Sequence, residues 1–248
     1  MLMDKVNDIL NSGSAESSLI SLCTFVRDHI EEIPDMTISE VAAATYLSKG
    51  QVSKCVRALN YLDFKDFKDE CMGYRTVMER RKQFFDPNRS FEANAQAFLD
   101  QVHSQTSRVL PAVESEIKEL ESDIKKASCV YLFARGDARV QCHRMLWEFS
   151  SRRIATVLCD AEFKKEYTFD KNDLLIHIST NGDSFYYDPR IVHKVKTAPV
   201  YKWLITCNKT LDGYDKILYI PTDNPKYNEF VLRNIVDCLL FDLFPVSE

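Results

Sequence analysis

With only 6 glycines and 8 prolines in 248 residues, the chain has too little of either to be fibrous or disordered along its length. No stretch approaches the ~18 consecutive apolar residues of a membrane-spanning helix, so no membrane association is expected. The start of the sequence lacks a charged region followed by an apolar one, so no signal peptide is read and a soluble, cytoplasmic protein is expected. The eight cysteines (23, 55, 71, 129, 142, 159, 207 and 238) include no C-x-x-C pair, and no histidine stands at zinc spacing from them. That leaves neither a zinc finger nor a dithiol redox motif to read, and no metal or cofactor is expected. Most of the cysteines sit in apolar runs such as Cys129-Val130-Tyr131-Leu132-Phe133, as small core residues kept reduced. Net positive charge is also missing, the formal value being -5.

What is present is a hydrophobic content of 45%, enough for one large core or two ordinary ones. Between Thr37 and Lys68, Ile38, Val41 and Ala42 share one helical face and Val52, Val56 and Leu59 recur at the same period, with Tyr46-Leu47-Ser48 between them. That is the pattern of a helix-turn-helix. Ser48 is an N-cap residue, so the second helix is predicted to begin at Lys49, with Gly50, Gln51, Ser53 and Lys54 outward, where this motif meets base edges. Asn60 tolerates the left-handed geometry of a helix end. Charge follows the same division: Ser48 to Arg75 holds six basic against four acidic residues, and Met1 to Leu47 two against eight. A local basic face is what phosphate contacts need.

Upstream, Val6, Ile9 and Leu10 mark one helix, and Leu19, Leu22, Cys23, Val26 and Ile30 a second that Pro34 ends. Downstream, Arg75, Arg80, Arg81 and Lys82 make either a basic arm against phosphates or a solvated linker helix. Asp86-Pro87-Asn88 is the strongest break. Ser90 to Lys126 is predicted as two helices, Pro111 lying in the first turn of the second. From Ala127 short apolar strands are predicted at 128–133, 153–159, 173–179, 200–206 and 216–220, with helices over 136–149, 188–196 and 228–243. Strands spaced by helices imply a five-stranded parallel sheet in a three-layer α/β domain.

In such a sheet ligands bind beyond the C-terminal ends of the strands. After the first strand comes Ala134-Arg135-Gly136-Asp137-Ala138-Arg139, and after the third Ser179-Thr180-Asn181-Gly182-Asp183-Ser184, whose hydroxyls and backbone N–H groups at a helix start suit a phosphate. Candidate bases nearby are His143, Glu148, His177 and His193, and none forms a recognisable pair. His177 lies inside a strand, where a satisfied core histidine is expected.

The helix-turn-helix resembles the N-terminal domain of the RpiR family of bacterial transcription regulators, with the pattern t-I-x-x-L-A, then v-S-x-a-T-V-x-R-F-x-x-x-L-G-f, then G-F-x-e-F-K. Here Gln51 replaces the family threonine, Lys54 its arginine, Cys55 its phenylalanine and Asn60 its glycine; lysine keeps the charge but loses bidentate reach. Ile178-Ser-Thr-Asn-Gly-Asp-Ser184 resembles the second loop of the sugar isomerase (SIS) domain, I-S-x-S-G-x-T. The first SIS loop, G-x-G-x-S, reads Ala134-Arg135-Gly136-Asp137-Ala138. Either Arg135 or Arg139 supplies the phosphate charge there, or the pocket has degenerated and only joins subunits.

The resemblance implies a regulator of carbohydrate or amino-sugar genes rather than an enzyme, with a helix-turn-helix domain at 1–77, a helical linker at 78–105 and an SIS-like domain at 106–248. Its partners would be operator DNA, a phosphorylated sugar and further copies of itself in a homodimer or homotetramer. Lys49, Gln51, Ser53 and Lys54 would face base edges and Arg57, Lys65 and Lys68 phosphates. Arg135, Gly136, Asp137, Ser179, Thr180, Asn181, Gly182 and Ser184 would line the sugar-phosphate site. The alternative readings are a sugar-phosphate isomerase and a regulator whose second domain serves only for oligomerisation.

Overall fold

The structure, a computed structural model, describes residues 2–12, 15–82, 84–160, 163, 165–187 and 189–243. The chain divides into two compact units, residues 1–86 and 87–248. The described part of the first is helical: α1 (Leu2–Ser12), α2 (Ser17–His29), α3 (Ile38–Ala44), α4 (Lys49–Ala58) and α5 (Phe64–Lys82). The predicted stripes are its core, with Val6, Leu22 and Val26 buried together with Val41, Val52, Val56 and Phe67. Each such side chain stabilises the unit by about 1.5–3 kcal/mol relative to exposure.

Polar residues fix where α3 and α4 begin. Thr37 N–H donates to Glu40 Oε2 (2.7 Å) while Glu40 N–H donates to Thr37 Oγ1 (3.3 Å), and Ser48 and Gln51 repeat this reciprocal cap on α4 (2.9 and 3.2 Å). Both helices end alike. Leu47 N–H reaches back to Ala42 O (2.9 Å) and Tyr61 N–H to Val56 O (3.2 Å), with Tyr46 (φ 56°) and Asn60 (φ 65°) left-handed at the turn. Lys5 of α1 donates to Leu59 O at 2.9 Å, a cation on the negative end of α4.

The second unit opens with α6 (Phe91–Lys126) and continues with β1 (Val130–Ala134), α7 (Arg139–Ser151), β2 (Thr156–Leu158), β3 (Leu174–Ile178), α8 (Asp183–Tyr187), α9 (Pro189–Thr197), β4 (Tyr201–Thr206), β5 (Lys216–Tyr219) and α10 (Asn228–Leu243). All strands are parallel, in the order β2-β1-β3-β4-β5. Tyr131, Phe133 and Leu175 pack with Val195 of α9, while the Trp203 indole donates to Asp123 of α6 (2.9 Å), so the sheet carries helices on both faces.

Two expectations need correction. Ser90 to Lys126 is one helix rather than two: Pro111 sits on its exposed side, where the lost backbone bond faces water, and Val102, Val109, Val113, Ile117, Leu120 and Ile124 bury one unbroken stripe. This helix runs through the expected boundary at 105/106, and α5 runs through the one at 77/78. The second strand is shorter than 153–159, because Arg153 is left-handed (φ 62°) and Ile154 N–H donates to Phe149 O (3.0 Å), so these residues terminate α7.

Candidate functional site

The first candidate surface is α4. Its inward stripe of Val52, Cys55 and Val56 is buried, which leaves Lys49, Gly50, Gln51, Lys54 and Arg57 exposed and Ser53 half-buried. Two of these side chains already have work within the chain. Gln51 closes the cap on Ser48, and the Lys54 ammonium lies 3.0 Å from the Glu16 carboxylate at the start of α2. Both partners in that ion pair are largely exposed, so solvent screens it and it is worth under about 1 kcal/mol. Lys65 is exposed and bridges to Asp69 one turn on (2.9 Å); Lys68 is half-buried.

The basic arm reads differently in place. Arg75 turns to Asp35 (2.6 Å) and Glu31 O, and Lys82 to Glu31 (2.6 Å), so these two cations neutralise an acidic stretch of their own unit. The side chains of Arg80 and Arg81 lie outside the described residues.

The second candidate lies at the C-terminal edge of the sheet. Strand order reverses between β1 and β3, since β2 follows β1 on one side and β3 returns on the other; this is where open α/β sheets form a crevice. Ala134 is in register with Ile178, so Arg135, Gly136 and Asp137 and the run from Ser179 to Ser184 leave adjacent strands side by side. Gly136 (φ 59°) and Gly182 (φ 82°) both occupy the left-handed region. At Gly182 an added Cβ would stand 2.9 Å from Asn208 Nδ2, so here glycine answers a close approach as well as a backbone angle.

Inside this edge the polar groups bond to one another. The Ser179 and Ser184 hydroxyls are buried 2.8 Å apart. Asn228, buried at the start of α10, donates to Asn181 Oδ1 (2.7 Å) and accepts from Thr222; Asn208 donates to Asn181 O (3.0 Å). Thr180 is half-buried, and its carbonyl accepts from Cys207 N–H (2.8 Å). Asn208, Thr222 and Asn228 were not among the expected site residues. The signal was available: Asn208 follows β4 and Thr222 follows β5, the same strand-end rule that picked the other two loops.

One expectation about anion holding changes. Arg139 donates to Ala134 O (3.3 Å) and Cys159 O (2.9 Å), tying the ends of β1 and β2 together instead of offering its charge to the crevice. After β3 the loop leads into α8 at Asp183.

The four candidate bases are dispersed. His143 is exposed on α7 and His193 on α9, and Glu148 pairs with Arg144 (3.4 Å). His177 is fully buried in β3: its Nδ1 shares a 2.5 Å hydrogen bond with the Tyr214 hydroxyl, its ring stacks on Phe185, and burial pushes its pKa down to about 3. It is a neutral core imidazole at any physiological pH. The eight cysteines are free thiols, with burial pushing Cys23 up to about 11 and Cys142 up to about 12. Among the described residues, no group of His, Cys, Asp or Glu is placed to hold a metal ion, and no helix is long and apolar enough to cross a membrane.

No protein-family model matches the chain. By sequence it is 22% identical over 209 residues, 79% of its own length and 70% of the relative's, to an uncharacterized HTH-type transcriptional regulator in the aarA 3′ region of Providencia stuartii. Among solved structures it is similar to the NanR protein of Vibrio vulnificus complexed with ManNAc-6P, at 10% identity over 98% of this chain and 91% of that one (TM-score 0.46). It is also similar to the sugar isomerase domain of an RpiR transcription factor from Sphaerobacter thermophilus, at 14% identity over 60% and 86% of the two chains (TM-score 0.43). A phosphoheptose isomerase from Francisella tularensis is similar at 16% identity over 62% and 98% (TM-score 0.45). The helical hairpin of α3 and α4 agrees with the match to a curated HTH-type transcriptional regulator, which the chain resembles.

Proposed function

We propose that the chain is a DNA-binding transcriptional regulator of carbohydrate or amino-sugar genes that responds to a phosphorylated sugar. The observation that carries the reading is the orientation of α4, whose apolar stripe is buried while Lys49, Lys54 and Arg57 remain on the outside. Lys49, Gln51, Ser53 and Lys54 would meet base edges in the major groove, and Arg57, Lys65 and Lys68 phosphates. Two copies, or four, would span a pseudo-palindromic operator. The sugar phosphate would enter between Arg135–Asp137 and Ser179–Ser184, and operator affinity would shift because it binds one state of the protein more tightly than another.

An isomerase needs a base of tuned pKa over that crevice. Glu148 is spent on Arg144 and His177 on Tyr214, which favours the regulator. The bonds among Ser179, Ser184, Asn181 and Asn228 favour instead a second unit that serves only for oligomerisation. Footprinting of the full chain on its own upstream DNA, with and without a panel of hexose and hexosamine phosphates, tests these readings together. Protection that one sugar phosphate changes is the expected result. Protection that none changes leaves the oligomerisation reading, and no protection at all defeats the regulator.

A further inference from the structure

A chain with 6 glycines uses a tyrosine where its backbone favours glycine and a glycine where its backbone does not ask for one. The two positions lie four residues apart, on either side of the cap that starts α4. Tyr46 is left-handed (φ 56°) in the turn after α3, a position where helix ends prefer glycine or asparagine. Its side chain is 96% exposed. The apolar face of its ring stands in water. Asn60 fills the equivalent place after α4 with a residue that tolerates the geometry. Arg153 shows that a long polar side chain can be accommodated at such a turn in this chain, so backbone strain by itself assigns nothing to Tyr46.

Gly50 supplies the second observation. It lies in the first turn of α4, its φ is not in the left-handed region, and an added Cβ would meet only Ser48 Oγ at 3.9 Å. Alanine fits there and is the better helix former. Neither the fold nor the packing of the unit accounts for the missing side chain. A glycine with open space around it on an exposed helix turn suits the close approach of another body to the backbone. Lys49, between Tyr46 and Gly50, is exposed and gives that body an electrostatic sign.

We infer that duplex DNA seats on the turn Tyr46–Gly50: the Tyr46 ring rests on the sugar-phosphate backbone, and the bare first turn of α4 at Gly50 lets the duplex come within contact distance. This rests on the reading of the chain as a DNA binder and adds where on the motif the close contact is made. It also accounts for both residues by one cause, since each costs folding stability in the free protein and is repaid in the complex.

The test uses Tyr46→Gly and Gly50→Ala in the full-length protein, which are expected to fold at least as well as the parent. Thermal unfolding should show each variant at the parental Tm or a few degrees above it. Fluorescence anisotropy on a short random-sequence duplex at low salt should show affinity falling roughly tenfold for each. A backbone contact is felt on any sequence, so the operator need not be known. Two variants that fold normally and bind the duplex as tightly as the parent would overturn the inference. So would variants whose sedimentation changes while DNA affinity does not, since the turn would then be a contact between copies of the chain. A parent protein that binds no duplex at all, random or genomic, is a separate failure, that of the DNA-binding reading itself.

Discussion

In the helical unit the polar residues of α4 point outward, with Lys49 and Arg57 exposed, whereas in the α/β unit those at the strand ends turn toward each other, Ser179 to Ser184 and Asn181 to Asn228. A partner of the first surface displaces water and screened ions, which costs little. A ligand of the second exchanges protein hydrogen bonds for its own, so its binding is tied to rearrangement of the loops. The first arrangement suits a surface that attracts any polyanion; the second suits a site that changes state only for a ligand able to replace what it breaks.

The units should also differ in acid. An unfolded histidine takes up a proton near pH 6.5, whereas His177 in the sheet resists protonation down to about 3. Between those values the unfolded α/β unit binds the extra proton, so stability is lost as pH falls, by about 2 kcal/mol between pH 7 and 5. The helical unit has only His29, which is half-buried at the end of α2. Amide exchange at pH 7 and pH 5 should show protection dropping in β1, β3 and β4 well before it drops in α2 and α4, and His177→Gln should flatten that dependence. Equal losses in both units would break the contrast.

Glycines give a smaller contrast of the same kind. Gly182→Ala forces a left-handed alanine against Asn208 and should destabilise the α/β unit by about 1–2 kcal/mol in urea titrations, while loosening the crevice. Gly50→Ala in the helical unit should go the other way. If Gly182→Ala were neutral, the loop after β3 would be softer than its bonds to Asn208 and Asn228 imply.

Much of the helical unit was legible because its signals are local. Ser48 and Gln51 are three residues apart and cap one helix, and Val52 and Val56 share a face by period alone. The sheet was legible as a series of apolar runs, since β1 and β3 are buried along their whole length and β4 over its last four residues. What escaped depended on distance in sequence. Pro111 marks a helix break unless the far side of the helix is known to be anchored by α10 and β5. Arg139 looks like a cation awaiting a phosphate until the carbonyls of Ala134 and Cys159 are placed beside it. The bond from Asn228 to Asn181 joins residues 47 positions apart, and no spacing rule announces it. The pairing of Lys54 with Glu16 belongs to the same class.

That last pairing offers the finest test of how openly the first surface is presented. Lys54 reaches DNA only by leaving Glu16, and the exposed pair is worth under about 1 kcal/mol, so the tie lowers affinity a few-fold at most. Glu16→Gln releases the lysine and removes a negative charge from the neighbourhood of the duplex. It should raise affinity about two- to fourfold at low salt and by less as salt rises and screens the pair. Lys54→Ala should lower affinity, and if the ammonium meets a phosphate, reduce the slope of log affinity against log salt by about one. A lysine at a base edge would instead leave that slope nearly unchanged while relaxing sequence preference, so the two variants in one salt series separate the roles. Unchanged affinity in both would take Lys54 off the interface and shift the reading of DNA toward the turn and the start of α4.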